Sequence, residues 1–131
     1  MILMFDTSII IDIQRKDINT IQKIKELSEI YPNPPVTTFM TYTEFLYGIM
    51  NKEIKNKEKS KSFLYKFGMM RPDKETSEIL AELRFNYDKK GIFISYPDLF
   101  IAAQALQYNM TLVTKDKGFE KIKELKKIII N

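Results

Sequence analysis

Three aspartates occupy positions in this 131-residue sequence where a carboxylate could take part in chemistry. Asp6 follows an apolar run at residues 1–5, Asp116 follows another at residues 110–113, and Asp98 lies in the first turn of a largely apolar segment. Short apolar runs bounded by turn residues predict buried strands of a parallel sheet. Ligands bind at the carboxyl ends of such strands, so these acids are expected to face a binding mouth.

Each acid also has an ordinary structural explanation. Asp98 could bind the free backbone N–H groups at a helix start, and Asp116 could form a turn. Glu44 lies opposite the apolar stripe of its helix, and by periodicity it is a solvated surface glutamate. Gly48 lies one turn later and leaves the surface beside Glu44 bare, which could admit another backbone or reflect helix packing.

The composition limits the chemistry that these acids could support. The chain contains no cysteine and no histidine, which excludes disulfides, thiolate chemistry, the usual zinc ligands and imidazole acid–base catalysis. Catalysis would therefore have to use carboxylates, hydroxyls, lysines or a hard metal ion.

The net charge and the hydropathy limit the classes of partner that this chain could bind. A net charge of +4 is compatible with an anionic partner. Residues 52–74 hold eight basic and three acidic side chains, which fits either contact with a nucleic-acid backbone or a solvated helix face. No signal-peptide pattern and no apolar run of membrane-spanning length is found, so a cytoplasmic protein without a membrane partner is expected.

The elements that must position the acids alternate between strands and helices. Strands are predicted at residues 1–5, 36–38, 69–70, 110–113 and 128–130, and helices at residues 9–13, 21–31, 39–51, 56–67, 73–91, 96–106 and 119–125. Thr7 or Ser8 is expected to cap the first helix, Asp73 to cap the fifth and Gly91 to end it. Residues 92–94 are too short a run to classify. The alternation and the chain length predict one α/β domain of three layers over residues 1–131.

Four short motifs, taken in chain order, resemble those of the PIN domain, and most closely those of VapC-type toxins from toxin–antitoxin pairs. They read Asp6-Thr7-Ser8, Thr41-x-x-Glu44 with Gly48, Asp98-x-x-Ile101-Ala102-Ala103-x-Ala105, and Thr114-x-Asp116-x-x-Phe119. The resemblance spans the whole chain, and length, order and spacing agree. It changes the interpretation of Glu44, which periodicity alone assigns to the solvated surface.

The resemblance implies a three-layer α/β/α PIN-like domain with a central, mainly parallel sheet of about five strands. It implies that Asp6, Glu44, Asp98 and Asp116 gather at one end of the sheet and bind Mg²⁺ or Mn²⁺, with Asp6 and Asp98 as the principal ligands. The activity would be that of an endoribonuclease that hydrolyses RNA phosphodiesters with metal-activated water. Because the chain lacks histidine, the products should carry 5′-phosphate and 3′-hydroxyl ends.

Several neighbours of these acids allow two interpretations. Thr7, Ser8 and Thr114 could orient water or phosphate, or could serve as caps and turn residues. Lys115 could remain free or pair with the acid that follows it. Tyr96 could stack on a base or pack in the core, and we expect the core.

The resemblance also implies an RNA substrate, a cognate antitoxin and a second copy in a homodimer. Residues 39–70 are rich in aromatic side chains, and we expect the antitoxin to contact this segment. Alternatively, Tyr42, Phe45, Phe63 and Phe67 pack its two helices together.

Two rival functions fit part of this pattern. A non-catalytic PIN-like module that binds RNA or protein would use the same basic surface without cleaving. A phosphatase or phosphotransfer domain would also place an aspartate after its first strand. Phosphatases with an Asp-x-Asp start would need an acid where Ser8 stands, so that class does not match.

Overall fold

Five parallel strands form the central layer of the protein. The computed structural model describes residues 1–131. The strands are β1 (Leu3–Phe5), β2 (Val36–Thr38), β3 (Gly68–Met70), β4 (Thr111–Thr114) and β5 (Lys127–Ile129). They lie in the order β3-β2-β1-β4-β5, and every neighbouring pair is parallel. The predicted α/β fold with a parallel sheet of about five strands is confirmed.

Six helices cover the sheet. They are α1 (Thr7–Gln14), α2 (Ile18–Ile30), α3 (Phe39–Gly48), α4 (Ile54–Leu64), α5 (Lys74–Lys89) and α6 (Tyr96–Gln107), and a 3₁₀ helix follows β4 at Lys117–Lys121. None of these helices combines the length and the apolar character that crossing a bilayer requires.

Both faces of the sheet are covered by helices, and the side chains of each strand alternate between the two faces. Met4 of β1 packs in a cluster with residues of α5 and α6, whereas Leu3 and Phe5 pack on the other face with residues of α1, α3 and α4. In β4, Leu112 and Val113 divide between the two faces in the same way. The three-layer arrangement follows from this alternation.

The chain order places a crevice between β1 and β4. From β1 the chain proceeds outward to β2 and β3, and it then returns to β4 on the other side of β1. The two halves diverge at this point, so the loops after β1 and β4 leave the sheet edge on opposite sides. Such a switch point is where ligands bind in open α/β sheets.

Two predicted helix signals are confirmed. Asp73 caps α5 with a capping box. Its side chain accepts hydrogen bonds from the Glu75 and Thr76 N–H groups, and the Asp73 N–H donates one to the Thr76 hydroxyl. Gly91 follows the end of α5 with φ +70°, a conformation that glycine adopts without strain.

Other boundaries differ from the prediction. Asp6, not Thr7 or Ser8, is the N-cap of α1, because its carboxylate accepts a hydrogen bond from the first free N–H group. Helix α3 ends at Gly48, and α4 runs over Ile54–Leu64, slightly ahead of the expected span. The helical pattern predicted at residues 119–125 yields only the short 3₁₀ helix, although its apolar side chains are buried as expected. Residues 92–94 form no regular element.

Candidate active site at the edge of the sheet

Asp6 is the most buried acid of the candidate site, with 6% of its surface exposed. The pairing of Phe5 with Val113 places Asp6 level with Thr114 at the ends of β1 and β4. The Thr114 hydroxyl donates a hydrogen bond of 2.6 Å to Asp6 Oδ2, and the Thr7 N–H donates one of 2.7 Å to Oδ1. Ser8 Oγ lies at 3.4 Å from Oδ2. Both carboxylate oxygens are therefore held by neighbouring donors.

The electrostatic surroundings of Asp6 favour its neutral form. Burial raises the pKa of the Asp6 carboxyl above its ordinary value, and the charges of Glu44 and Asp116 raise it further. The hydrogen bonds from Thr114 and Thr7 act in the opposite direction, because they stabilise the ionised form. The two other acids are thus close enough to Asp6 to repel its charge.

Glu44 is joined to the first loop by a side-chain hydrogen bond. It lies in the second turn of α3, and that helix packs against α1. The Thr7 hydroxyl donates a hydrogen bond of 2.6 Å to Glu44 Oε1. Glu44 is half-buried and not the freely solvated glutamate that periodicity alone indicates.

Asp98 lies in the first turn of α6 and is half-buried. Ser95 caps this helix, and its hydroxyl accepts a hydrogen bond of 3.3 Å from the Asp98 N–H. Burial and the charge of Asp116, with smaller contributions from Asp6 and Glu44, raise the pKa of Asp98 to about 6, although a hydrogen bond from Ser95 opposes the shift. The charges of the other three acids therefore act on the pKa of Asp98, although no hydrogen bond joins Asp98 to any of them.

Asp116 is the exposed acid of the group. It caps the 3₁₀ helix, and its Oδ1 accepts a hydrogen bond of 2.8 Å from the Gly118 N–H. Its own N–H donates a hydrogen bond of 3.0 Å to Thr114 Oγ1. The turn role considered for Asp116 is confirmed, and Thr114 Oγ1 links the Asp116 backbone to the Asp6 carboxylate.

The four acids come from four separate segments, and two of them, Asp6 and Asp116, follow the strands β1 and β4 that border the switch point. Hydrogen bonds tie Glu44 to Thr7, and Thr114 joins the loop of Asp6 to that of Asp116, whereas Asp98 is linked to the group only through its charge. In the observed side-chain positions, no three acids lie close enough together to form a ready metal-binding group.

The three hydroxyls predicted near the site are already engaged. Those of Thr7 and Thr114 donate to Glu44 and Asp6, and Ser8 Oγ accepts a hydrogen bond of 3.1 Å from the Lys115 N–H. None of the three is the cap of α1. They orient carboxylates in the observed structure, and their role toward water or phosphate stays a prediction.

An ion pair beside the site was missed in the sequence. Lys115 Nζ lies 2.7 Å from Asp12 Oδ2, and Thr20 Oγ1 donates a second hydrogen bond of 2.7 Å to the same oxygen. Burial would raise the pKa of Asp12, but these hydrogen bonds hold it below its ordinary value. Lys115 thus pairs with Asp12 on α1 and not with the adjacent Asp116. No sequence signal marks this pair, which joins residues 103 positions apart.

Ser95 was also missed, although the sequence carries its signal. Ser95 and Asp98 fit the Ser-x-x-Asp pattern that precedes an apolar helix, with the serine as N-cap.

Two expectations about neighbouring residues are settled by exposure. Tyr96 is 55% exposed and carries the Arg84 guanidinium 5.3 Å above its ring, so the expected core position is wrong. This happens because the tyrosine is the first residue of α6, where the helix face turns from the sheet to solvent. A Cβ added at Gly48 would have no atom within 4 Å, so this glycine is not required for helix packing.

The aromatic residues of the segment 39–70 divide into two sets. Tyr42, Phe45, Phe63 and Phe67 pack together in the second core cluster, which is the alternative considered above. Large apolar side chains that remain exposed in the same segment are Phe39, Tyr47, Met50, Ile54 and Tyr65.

Comparison with known proteins identifies the family. The model of the PIN domain matches residues 3–125. Ribonuclease VapC of Rickettsia bellii (strain RML369-C) is 35% identical over 139 residues, and the match covers 98% of this chain and 96% of that protein.

Solved structures agree in fold. The structure of VapBC2 from Rickettsia felis, bound to a DNA fragment from its promoter, has a TM-score of 0.86 at 25% identity, with both chains covered completely. VapBC-1 from nontypeable Haemophilus influenzae has a TM-score of 0.84 at 27% identity, with 98% of each chain covered. The resemblance seen in the four motifs is confirmed.

Proposed function

Since this chain belongs to the PIN domain family, we propose that it is a metal-dependent endoribonuclease of the VapC toxin type. Its reaction is the hydrolysis of RNA phosphodiesters at Asp6, Glu44, Asp98 and Asp116. The observation that supports this proposal is that Asp6 and Asp116 follow the two strands at the switch point of the sheet, while the charges of the other acids raise the pKa values of Asp6 and Asp98.

The donor set suits a hard divalent cation. Mg²⁺ and Mn²⁺ prefer carboxylate oxygens and commonly use only a few protein ligands together with substrate phosphate. The raised pKa of Asp98, about 6, supports this assignment: burial is its main cause and the charges of the other acids add to it, and a cation would offset that repulsion. The acids must approach one another to share an ion, since no three of them form a metal-binding group in the observed positions.

In this proposal Asp6 and Asp98 hold the ion, and Glu44 and Asp116 complete the site. When bound, the ion supplies Lewis-acid chemistry, which activates water and offsets the charge on the phosphate. The chain itself orients the acids: the Thr114 hydroxyl fixes one oxygen of Asp6, and the Thr7 hydroxyl fixes one oxygen of Glu44.

Cleavage of a mixed RNA pool by the purified chain tests the proposal. We expect cuts in Mn²⁺ or Mg²⁺ that disappear in EDTA and in Asp6→Asn and Asp98→Asn, with 5′-phosphate and 3′-hydroxyl ends on the products. Glu78→Gln is the matched control, because Glu78 is an exposed acid on α5 outside the site.

Three results would overturn parts of the proposal. A 2′,3′-cyclic phosphate would exclude attack by water. Cleavage retained in Asp6→Asn and Asp98→Asn would exclude the carboxylate site. Metal-independent RNA binding without cleavage, by a folded chain free of antitoxin, would favour the non-catalytic binding module.

Partners follow from the same assignment. Solved relatives are complexes of VapB with VapC, and we propose that a cognate antitoxin also binds this chain. The exposed side chains Tyr47, Met50, Ile54 and Tyr65 are the contact that we propose, since they leave apolar surface uncovered between α3 and β3. Loss of antitoxin binding on Tyr47→Ser, with the fold retained, is the expected result.

We also propose that the chain forms a homodimer. Phe39 and Phe100 stack with ring centroids 6.1 Å apart, and Tyr96 lies one turn before Phe100 on the same face of α6. In this aromatic row Phe39 and Tyr96 are exposed and Phe100 is half-buried, and the row is the surface on which we expect the second copy. Sedimentation should show a dimer that Phe100→Glu converts to a folded monomer, and an unchanged dimer would place the contact elsewhere.

A further inference from the structure

A cavity of about 350 Å³ opens between α1 and α3, directly beside the candidate site. Its size falls within the range of small-ligand sites in proteins, roughly 300–1,000 Å³. The lining residues are Ile11, Gln14, Arg15, Glu44, Phe45, Gly48, Ile49 and Lys52. Glu44 belongs to both the cavity and the acidic group, so the two are continuous.

The floor and the rim of this α1–α3 cavity differ in chemistry. Ile11, Phe45 and Ile49 supply apolar surface, whereas Arg15 and Lys52 supply two exposed cations. Neither cation forms a salt bridge with an acid of the chain. The cavity therefore combines an apolar floor with positive charge at its rim that no salt bridge neutralises, although Arg15 also acts on the charge of Asp12 and both Phe45 and Ile49 are almost completely buried.

Gly48 keeps the cavity open. As the last residue of α3 it forms part of the lining, and a Cβ added there would meet no atom within 4 Å. Glycine costs an α-helix roughly 1 kcal/mol relative to alanine, and neither packing nor a positive φ requires it here. A function for the open space would account for this residue.

A basic helix leads away from the cavity. Ser60 of α4 accepts hydrogen bonds from Lys52 Nζ at 3.3 Å and from Gln14 Nε2 at 2.9 Å, so α4 is attached to the cavity rim. Helix α4 contains four lysines and one glutamate. The lysines at 55, 57, 59 and 61 lie on two faces of α4, and Lys61 pairs with Glu58, so α4 adds positive charge near the rim without forming a single basic stripe.

We propose that the α1–α3 cavity binds one nucleotide of a single-stranded RNA substrate, next to the phosphodiester that is cleaved. The base lies on the apolar floor, and the phosphate of that nucleotide contacts Arg15 and Lys52. The strand continues along α4. This inference rests on the proposed nuclease function and adds a substrate-binding site to it, outside the four acids.

Binding of labelled single-stranded RNA oligonucleotides, about ten nucleotides long, tests the inference by fluorescence anisotropy in EDTA, where no cleavage occurs. Gly48→Leu places a side chain in the cavity and should weaken binding about ten-fold without changing its salt dependence. Arg15→Gln should instead lower the slope of log K against log salt by about 0.7, the value for one phosphate of a single strand. Lys25→Gln removes one positive charge from an exposed site on α2, and it should change neither the RNA affinity nor its salt dependence.

Gly48→Ala, which fills little of the cavity, should lie between wild type and Gly48→Leu. Melting curves of all variants confirm that they fold. RNA binding that is unchanged in both Gly48→Leu and Arg15→Gln, by a chain that cleaves RNA in Mn²⁺, overturns the nucleotide site and leaves the nuclease function intact. If both variants weaken RNA binding but the wild-type chain shows no metal-dependent cleavage, the nucleotide site is supported and the nuclease function is refuted. If Gly48→Leu weakens the binding of purified antitoxin but not of RNA, the cavity is a protein contact and the inference is wrong.

Discussion

Asp98→Asn should stabilise the protein at neutral pH while abolishing its activity. The Asp98 carboxyl is half-buried, and burial and the charge of Asp116, with smaller contributions from Asp6 and Glu44, raise its pKa from 3.8 to about 6. Asparagine keeps the shape of the side chain and removes the charge that this site disfavours.

The sign and the size of the effect follow from the pKa shift. Because the folded pKa lies above the unfolded one, the native state binds more protons between about pH 4 and pH 6, and stability falls as the pH rises through this window. A shift from 3.8 to about 6 corresponds to about 3 kcal/mol, which half-exposure reduces to about 1–2 kcal/mol. For a chain of this length the variant should melt roughly 3–8 °C higher at neutral pH.

Thermal unfolding in EDTA at pH 7.5 and at pH 4 measures this difference. At pH 4 the gain should largely vanish, since Asp98 is then mostly protonated in the folded wild type. Glu78→Gln removes an exposed acid of α5 and controls for the change in net charge. With saturating Mn²⁺ the wild type should melt at a higher temperature than Asp98→Asn, because the ion stabilises only the protein that binds it.

An Asp98→Asn variant that melts at or below the wild-type temperature at pH 7.5, while Glu78→Gln is unchanged, would refute the reasoning. The free N–H groups of α6 would then stabilise the Asp98 charge more than its neighbours repel it.

Three further substitutions test individual residues. Thr114→Val keeps the side-chain shape but removes the hydroxyl between Asp6 and the Asp116 N–H, so it should cost about 1–3 kcal/mol in urea unfolding and lower cleavage; unchanged stability would mean that water replaces the hydroxyl. Gln104→Leu leaves two backbone groups at the start of α3 and the end of β3 without partners and should cost about 2–4 kcal/mol; a loss below 1 kcal/mol would contradict this. Gly48→Ala should raise stability by about 0.5 kcal/mol in the same measurement, and a loss would reveal a contact that the open surface hides.

The sequence predicts the layout of the molecule because local patterns determine it. Apolar runs ending in acids locate β1 and β4, and the pairing of these strands then brings Asp6 and Asp116 to one edge. Glu44 shows the limit of this reasoning, since periodicity assigns it to solvent and only the family motif moved it to the site. Its hydrogen bond to Thr7 joins α3 to α1 across 37 positions, and no local pattern encodes such a contact.

The sequence was misread at an element boundary, at a helix start and at a tertiary ion pair. Asp6 ends β1 and caps α1 with the carboxylate that belongs to the site, so the expected cap at Thr7 or Ser8 was wrong. Tyr96 looked like a core aromatic because its helix is mostly buried, yet exposure changes within one turn at a helix start. Pairings such as Lys115 with Asp12 depend on tertiary distance and remain invisible until the fold is known.

The bond from Thr114 to Asp6, which spans 108 positions, bears on how the protein is made. A growing chain presents Asp6 to its surroundings long before β4 leaves the ribosome. Until β4 pairs with β1, the Asp6 carboxylate has neither the hydrogen bond from Thr114 nor the nearby charge of Asp116. If the proposed nuclease needs all four acids, partly synthesised chains are harmless to the RNA of the ribosome that makes them, and toxicity begins only after β4 has been translated and folded.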